Sequence, residues 1–326
     1  MNFAKKNQLE IIRTKMLEIT TKLSKHKKQF LEPNWSSSRF NSIKLGLIII
    51  FGILLYSCKS NTVVKKDTTN SAIGKITELS KDNILVCAHR SFHTNAPENS
   101  IKSVKNAVEA GIDIIEIDVR TTKDSVLVLM HDKDIDRITT GKGLIKNYTF
   151  SELQQFNLKM KDSVTLDKIP LLEDALQMAK GKVIVNLDLK AVNYKQLYQM
   201  LKKYNMEKEV ISYTGTREEV NKMLRIDALY AVMPLVKTKE EMLYFHQNTK
   251  SPLQHFTNES FTKDNMDWIQ KNNKIVFVNT LWDEDDSFVL GKMEAMDSVI
   301  ALKPSIIQTD HPKLLIDYLR SKKLHH

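Results

Sequence analysis

Residues 112–132 read IDIIEIDVRTTKDSVLVLMHD, and residues 84–90, which precede them, read ILVCAHR. In both segments a short apolar run, of the kind that forms a buried strand, contains or ends in acidic and histidine side chains. Such side chains cost free energy to bury and do not help packing, so their position indicates a functional rim at the carboxyl ends of parallel strands. Glu116 and Asp118 are two residues apart and therefore point to the same face of a strand. Converging carboxylates need a shared proton or a cation, and a divalent metal ion is the more common solution.

Outward from these segments, strand-like apolar runs alternate with helical patterns through residues 83–326. This length suits one large core, and the alternation predicts an α/β fold, a TIM-type (β/α)8 barrel. The predicted strands are 84–88, 112–119, 126–130, 183–189, 210–214, 229–235, 275–281 and 305–309, with a weaker candidate at 253–257. The predicted helices are 100–110, 172–179, 194–204, 218–224, 239–247, 263–272 and 312–322.

One interval does not fit this alternation. Only six residues separate Val119 from Val126, far fewer than a crossover helix needs. An antiparallel hairpin is one solution, and an extended segment that descends outside the barrel before the next strand rises is the other. We favour the second, because it places Asp118 and His131 at the carboxyl ends of their strands. Residues 137–165 are expected to form a long loop, with a short helical piece at 151–155, that covers this rim.

The polar residues of this segment resemble the glycerophosphodiester phosphodiesterase family, and the match runs in order from residue 84 to residue 319. The resemblance rests on His89-Arg90, Pro97-Glu98-Asn99, Gly111 before Glu116-Ile117-Asp118-Val119, His131-Asp132 followed by Arg137 and Thr139-Thr140-Gly141, Ile169-Pro170-Leu171-Leu172-Glu173, Asn186-Leu187-Asp188-Leu189-Lys190 and Thr309-Asp310-His311-Pro312. Each motif alone is weak, but the whole set in this order is specific. The resemblance implies a TIM barrel that hydrolyses glycerophosphodiesters, the deacylated phospholipids.

Two positions depart from the family's pattern. Ser91 follows His-Arg where the family usually has Gly, a residue that permits positive φ or close approach to a phosphate. Asp188 stands where the family's later acidic ligand is usually Glu, which is one methylene longer. We expect Ser91 to reshape the pocket, and Asp188 to hold the metal closer to its strand or through water. Neither change removes a function.

The acidic residues predict a metal centre. Glu116 and Asp118, with Asp188 added by the resemblance, are the predicted ligands, and their hard oxygen atoms favour Ca²⁺ or Mg²⁺ over zinc. The structural alternative is a set of acids at strand ends that pair with cations, as Asp188 could pair with Lys190.

His89 and His131 are the predicted general acid and base. An unperturbed pKa of about 6.5 lets one histidine be protonated and the other neutral, as two proton transfers require. The alternative is a pair of hydrogen-bonded core histidines. The resemblance implies that the glycerol 2-hydroxyl attacks first and that water then opens a cyclic phosphate. The other histidines named here are expected to face solvent: His93, His246, His255, His325 and His326.

Five further residues are assigned to the phosphate and to its surroundings. Arg90 and Lys190 carry the charge that suits a phosphate, although either could instead pair with the metal-site acids. Glu98 and Asn99 are expected to orient His89 or the first loop, and Asn99 with the following serine could equally cap a helix. Asp132 is expected to be a hydrogen-bond partner of the site rather than a metal ligand.

Aromatic residues close to predicted strand ends are candidates for the pocket that holds the alcohol. The resemblance suggests one near the end of strand 275–281, and Trp282 is the candidate, with core packing as the alternative. The family often shows Trp-Thr in this strand, where the chain has Asn279-Thr280-Leu281-Trp282. The other candidates are Phe92, Tyr213, Phe256 and Phe277.

The amino-terminal part, residues 1–57, is predicted to be a leader. Ten of the chain's 49 basic residues but only three of its 39 acidic residues precede Cys58, so the net charge of +10 comes mostly from this leader. The charge therefore gives no reason to expect a nucleic-acid partner. The apolar run at 45–57 is shorter than the roughly 20 residues of a membrane span and suits the core of a signal peptide.

The leader ends in Leu55-Tyr56-Ser57-Cys58, which resembles a bacterial lipobox. This implies a lipid on Cys58, and an uncleaved anchor is the alternative. Residues 58–82 are then a lipidated cysteine and a flexible tether. Cys87 is left as a single thiol in the mature chain, which excludes an intramolecular disulfide, and we expect it to be buried.

Together these features predict a metal-dependent glycerophosphodiester phosphodiesterase that is anchored to the bacterial cell envelope. Its products are sn-glycerol 3-phosphate and an alcohol. Two alternatives remain: a phospholipase-D-like enzyme that acts on lipids, which exposed apolar residues on the rim would favour, and a non-catalytic binding lipoprotein.

Overall fold

A closed barrel of parallel strands forms the centre of the described part of the chain, residues 71–326 of a computed structural model. The predicted signal core, Cys58 and most of the predicted tether lie outside these described residues. The barrel strands, in order around the ring, are β1 (Leu85–Ala88), β2 (Ile114–Thr121), β6 (Ile184–Ala191), β7 (Val210–Thr214), β8 (Val232–Val236), β9 (Leu253–Phe256), β10 (Ile275–Asn279) and β11 (Ile306–Thr309). Strand β1 pairs with both β11 and β2 and so closes the ring.

Helices on the outside of the barrel connect these strands, as their apolar periodicity predicts. Most begin at a Ser, Thr or Asn whose side chain accepts a hydrogen bond from the first turn, as for Ser100, Asn193, Thr216, Thr238 and Thr262. They are α2 (Ile101–Glu109), α4 (Leu172–Ala179), α5 (Tyr194–Lys203), α6 (Arg217–Ile226), α7 (Lys239–Asn248), α8 (Lys263–Lys271), α9 (Asp283–Val289), α10 (Glu294–Ala301) and α11 (Pro312–Ser321). The sequence did not predict α9 and α10. No helix among the described residues is long and apolar enough to cross a membrane.

The connection after β2 is a hairpin, so the extended segment favoured above is wrong. Strand β3 (Leu127–Leu129) runs antiparallel to the end of β2 and is not part of the ring. The weaker candidate at 253–257 supplies the missing barrel strand instead. Five residues, 122–126, connect the two strands in a tight turn. The returning strand places Met130 beside Asp118, whose carbonyl accepts the Met130 N–H at 3.1 Å. His131 thus still reaches the carboxyl end of the barrel.

The predicted extent of the tether, to residue 82, is also wrong, because residues 72–79 form a helix. Helix α1 (Ala72–Leu79) begins at Ser71, whose side chain caps it. Ala72 and Ile76 are fully buried against apolar residues from the first halves of the barrel strands. The prediction relied on the polar composition of this segment and overlooked Ala72 and Ile76, whose spacing places them on one face of a helix. The helix therefore closes the amino-terminal end of the barrel, opposite the rim.

Residues 131–170 form a small packed unit beside β3, where a long loop was expected. It contains a 3₁₀ turn (Ile145–Asn147), helix α3 (Phe150–Leu153) and a hairpin of β4 (Lys159–Met160) and β5 (Ser163–Val164). A separate apolar cluster that includes Ile135 and Leu158 holds it together. Gly141 has no room for a side chain, since a Cβ there would lie 2.6 Å from the Phe156 ring.

Candidate active site

Three carboxylates meet at the carboxyl ends of β2 and β6. The two strands pair in parallel register, so that Asp118 lies opposite Asp188 and Glu116 lies one inward-facing position below. One oxygen from each of the three carboxylates lies within 4.8 Å of the others. The side chain of Asp118 is 1% exposed and that of Asp188 is 20% exposed. The sequence prediction that these acids share one place is therefore confirmed.

The electrostatics of this cluster fit a divalent cation. Burial, followed by the charges of Asp118 and Asp188, raises the pKa of Glu116 well above its ordinary value. One oxygen of Glu116 accepts the Arg90 N–H at 2.8 Å, but its Oε1 is buried without a hydrogen-bond partner within residues 71–326. The three carboxylates carry one more charge than the two side-chain cations beside them, Lys190 and Arg90, and hard carboxylate oxygens suit Mg²⁺ or Ca²⁺.

Lys190 and Arg90 both contact the acids, as the alternative reading of these residues proposed. The Lys190 ammonium lies 2.7 Å from Asp188 and 3.1 Å from Asp118. The Arg90 guanidinium lies 3.8 Å from Asp118 and donates to Glu98 at 3.0 Å. Both cations also line the cavity described below, so they can offer charge to a bound anion.

Glu98 and Asn99 contact the first loop at Arg90, one of the two expected roles, and neither hydrogen-bonds His89 in the described part of the chain. The Asn99 side chain donates to the Asp118 carboxylate at 2.7 Å and accepts the Asp118 N–H at 3.0 Å. Glu98 binds Arg90 and Arg137. Ser100, the residue after Asn99, caps helix α2. The Asn99-Ser100 pair therefore provides both a helix cap and a contact that positions Asp118.

The first loop carries unusual backbone torsions. Ser91 has φ of +65°, Arg90 +48° and Asn99 +53°. Ser91 therefore adopts the left-handed conformation that the family's usual Gly would adopt without strain. Its N–H donates to the Glu116 carbonyl at 2.8 Å, which ties the loop to the floor of the metal centre. Its hydroxyl is buried without a partner among the described residues.

His89 is held by an aspartate to which the sequence had assigned no role. Its Nδ1 lies 2.8 Å from Asp310 Oδ1, at the end of β11. Burial acts to raise the pKa of Asp310, but the hydrogen bond and charge of His89, with His93 and Arg90, outweigh it, so that pKa is lowered. Asp310 is held in turn by Asp285, which accepts its backbone N–H at 2.8 Å.

Asp285 itself is buried and anchors the ends of two barrel strands. It accepts hydrogen bonds from the hydroxyls of Thr280 at 2.9 Å and Thr309 at 2.8 Å. Burial raises its pKa. The Thr-Asp pair of the Thr309-Asp310-His311-Pro312 motif was the one signal in the sequence that could have found this network.

His131 has a similar partner in Asp132, as expected. The Nδ1 atom of His131 lies 2.7 Å from Asp132 Oδ1, and Arg137 donates to the other oxygen of Asp132 at 2.7 Å. Burial acts to raise the pKa of Asp132, but the hydrogen bonds from Arg137 and His131 outweigh it and lower that pKa to about 2. Arg120 also binds the His131 carbonyl, so both the backbone and the ring of His131 are fixed.

A cavity of about 190 Å³ opens between these groups. Trp282 stands at its edge with φ of +75° and with 73% of its surface exposed. Asn279, the residue before the buried Thr280, lines the interior of the cavity. The remaining lining includes His89, Arg90, Glu116, His131, Asn186, Asp188, Lys190, Tyr213, His255, Phe277, Gln308 and Asp310. Six of the predicted site residues therefore line one cavity together with Trp282.

The expectation that the other histidines face solvent is wrong for His255, His325 and His93. His255 is 7% exposed on β9 inside the barrel, where burial lowers its pKa to about 3. His325 is buried at the opposite end and contacts the Ile84 carbonyl. His93 contacts the His89 carbonyl and lies 3.7 Å from Asp310. Cys87 is a buried free thiol, as predicted.

The fold and this rim define a TIM-barrel protein whose strand ends carry a candidate metal centre between two histidines. Residues 89–314 match the sequence model of the Glycerophosphoryl diester phosphodiesterase family. The chain belongs to that family.

Individual relatives agree with this assignment. A glycerophosphodiester phosphodiesterase of Caldanaerobacter subterraneus subsp. tengcongensis is 36% identical over 161 residues, which cover 45% of this chain and 66% of the relative. A second one, from Bacillus subtilis, is 27% identical over 194 residues, or 53% of this chain and 66% of the relative. The chain thus spans a little under two thirds of the length of each of these two relatives.

Solved structures show the same fold. A glycerophosphoryl diester phosphodiesterase from Parabacteroides distasonis aligns with a TM-score of 0.70 at 27% identity, covering 77% of this chain and 93% of that one. An Oleispira antarctica phosphodiesterase, solved in complex with the product sn-glycerol-3-phosphate, aligns with a TM-score of 0.62 at 20% identity, covering 73% and 97%. The second likeness concerns the fold alone.

Proposed function

We propose that this chain is an enzyme that hydrolyses glycerophosphodiesters to sn-glycerol 3-phosphate and an alcohol with the help of a divalent cation. One observation carries the proposal: two histidines, each held at Nδ1 by its own aspartate, line the same cavity as the carboxylate cluster. Family membership supports the substrate class.

The two aspartates determine which ring nitrogen can exchange a proton. A carboxylate at Nδ1 favours the tautomer that carries hydrogen there, which leaves Nε2 as the atom that takes or gives a proton. In this proposal, one of His89 and His131 takes the proton of the glycerol 2-hydroxyl as that oxygen attacks phosphorus. The other gives a proton to the oxygen of the leaving alcohol. Water then opens the cyclic phosphate by the reverse transfers.

Glu116, Asp118 and Asp188 would hold Ca²⁺ or Mg²⁺. A bound cation of this kind supplies charge stabilisation to phosphate oxygens. Arg90 and Lys190 add a guanidinium fork and an ammonium close to the same oxygens, and Trp282 covers the mouth of the alcohol pocket.

The test follows glycerol 3-phosphate release by the full chain after treatment with chelator. Glycerophosphocholine, glycerophosphoethanolamine and glycerophosphoglycerol are each supplied with calcium, magnesium or neither. We expect release only with metal, and we expect His131→Ala and Glu116→Ala to abolish it. Exposed Lys105→Ala, on the outer face of α2, is the matched control and should behave like the unmodified chain. Absence of release from all three diesters with either metal would refute the proposal.

One observation favours a lipid substrate as the second candidate. Trp282 at the cavity mouth is 73% exposed. Exposed apolar side chains on loops are the feature that a lipid-binding rim needs. Cleavage of lysophosphatidylcholine in the same assay, with no cleavage of the soluble diesters, would select this candidate.

We also propose that the chain is an envelope lipoprotein attached through Cys58. The lipobox-like Leu55-Tyr56-Ser57-Cys58 after an apolar run supports this location. Metabolic labelling with a radioactive fatty acid should mark the chain in a bacterial host. Cys58→Ser should remove the label, and Cys87→Ser should leave it. Label that survives Cys58→Ser would exclude the assignment.

A further inference from the structure

The wall of the cavity that faces the carboxylates carries two uncharged polar side chains. In the ring of eight strands, β9 stands opposite β2, and β10 stands opposite β6. His255 of β9 and Asn279 of β10 therefore lie across the barrel from Glu116 and Asp188. All four residues line the same cavity.

Several hydrogen-bonding atoms of this cavity have no protein partner. Asn279 Oδ1, His255 Nδ1 and Asn186 Oδ1 are all buried, and none has a hydrogen-bond partner anywhere in the described range 71–326. His255 and Asn186 are only 7% and 2% exposed as residues. Buried polar atoms are nearly always paired in folded proteins, so three unpaired atoms around one cavity indicate a ligand that brings its own hydrogen-bonding groups.

The geometry of phosphoryl transfer indicates which part of the substrate meets this wall. The attacking and leaving oxygens lie on opposite sides of phosphorus. We place the attacking 2-hydroxyl on the side of the carboxylates, where the proposed cation would be held, so the leaving alcohol points toward β9 and β10.

We propose that the Asn279–His255 wall binds an uncharged polyhydric leaving alcohol, of the glycerol or inositol kind, and discriminates against choline. This inference rests on the proposed function. Hydroxyl groups of the alcohol can satisfy the unpaired atoms of Asn279 and His255, whereas a trimethylammonium group satisfies neither.

Two aromatic residues of the cavity pack against His255. Tyr213 and Phe277 pack against the His255 ring with centroids 5.2 Å and 4.9 Å apart, so these rings contact one another. His255 itself remains neutral, because burial lowers its pKa to about 3, and it can both donate and accept. Trp282 presents its indole at the mouth, mostly to solvent.

The test compares kcat/KM of the full chain, with its activating metal, on four soluble diesters. Glycerophosphoglycerol and glycerophosphoinositol are expected to exceed glycerophosphocholine by about 100-fold or more, since a site built to bond hydroxyls strongly rejects an analogue that lacks them. Glycerophosphoethanolamine is expected to fall between these groups, because its ammonium can still donate hydrogen bonds. In Asn279→Leu, which keeps the side-chain size, the preference for glycerophosphoglycerol over glycerophosphocholine should fall at least about tenfold. Asn248→Leu, at the exposed end of α7, should keep the wild-type ratio.

The outcomes separate this inference from the function on which it rests. Equal kcat/KM on the choline and glycerol diesters would overturn the polyhydric assignment and leave the phosphodiesterase proposal in place. Asn279→Leu that slows all four substrates equally would likewise overturn it. If Asn279→Leu does not fold, the ratio measured with the unmodified chain decides alone. If no diester is cleaved with either metal, both proposals fail together.

Discussion

Replacing Ser91 with glycine should make the protein more stable while leaving its site in place. Ser91 is buried, has φ of +65° and carries a hydroxyl without a partner among the described residues. A left-handed conformation costs a residue with a Cβ about 1–2 kcal/mol, and glycine adopts it freely. The N–H of residue 91 would still bind the Glu116 carbonyl, so the metal centre should keep its geometry.

Three contributions decide the size of the effect. Relief of the backbone strain contributes about 1–2 kcal/mol, and removal of an unpaired buried hydroxyl about 1 kcal/mol more. The greater freedom of glycine in the unfolded chain opposes them by about 0.5–1 kcal/mol. The free energy of unfolding should therefore rise by about 1–2 kcal/mol, which raises Tm by about 2–6 °C in a domain of this size.

Urea and thermal unfolding of the full chain, metal-free and metal-loaded, measures this change. Ser91→Ala is the matched variant, because it removes the hydroxyl and keeps the strained torsion. The free energy of unfolding of Ser91→Gly should exceed that of Ser91→Ala by about 0.5–1 kcal/mol. This is the relief of backbone strain minus the cost of the greater freedom of glycine in the unfolded chain. If Gly proved less stable than both Ser and Ala, strain at residue 91 would not be the physical cause, and the reasoning would be refuted.

Three other changes test separate parts of the structure. Arg137→Gln should raise the pKa of Asp132, which is about 2 in the native protein against an ordinary 3.8. A lowered carboxylate pKa stabilises the folded protein above pH 3.8, so the free energies of unfolding of the variant and the unmodified chain should differ above that pH. The two values should converge as the pH falls toward 2. Asp310→Asn should lower kcat about 10–100-fold with little change in KM, because His89 loses the partner that fixes its tautomer; an unchanged kcat in steady-state assays would contradict that role. Ile76→Ala should destabilise the protein by about 2–5 kcal/mol in urea unfolding, whereas a true tether residue would have no effect.

Local spacing predicted part of the carboxylate cluster, because Glu116 and Asp118 share one face of a strand. The family resemblance supplied Asp188, which the parallel register of β2 and β6 brings beside them. The sequence did not predict that Asp310 binds His89, because the two residues lie 221 positions apart and only closure of the barrel brings them together. The family-like Thr309-Asp310-His311-Pro312 motif pointed to Asp310 but not to its partner.

The structural errors have different causes. The segment after β2 was placed as a barrel strand because a buried hairpin arm and a buried barrel strand have the same apolar pattern. Helix α1 was read as tether because its polar neighbours dominated the composition, although Ala72 and Ile76 already had helical spacing. In both cases the local sequence was compatible with two structures, and tertiary packing determines which one forms.

Helix α1 determines at which end of the barrel the preceding chain is attached. The chain enters the described domain at Ser71, beneath the amino-terminal end of the barrel, whereas the cavity opens at the carboxyl end. Whatever is joined to the chain before Ser71 is therefore attached at the end of the barrel opposite the cavity mouth. If Cys58 carries the proposed lipid, attachment at that end would leave the mouth open to molecules that have already left the bilayer.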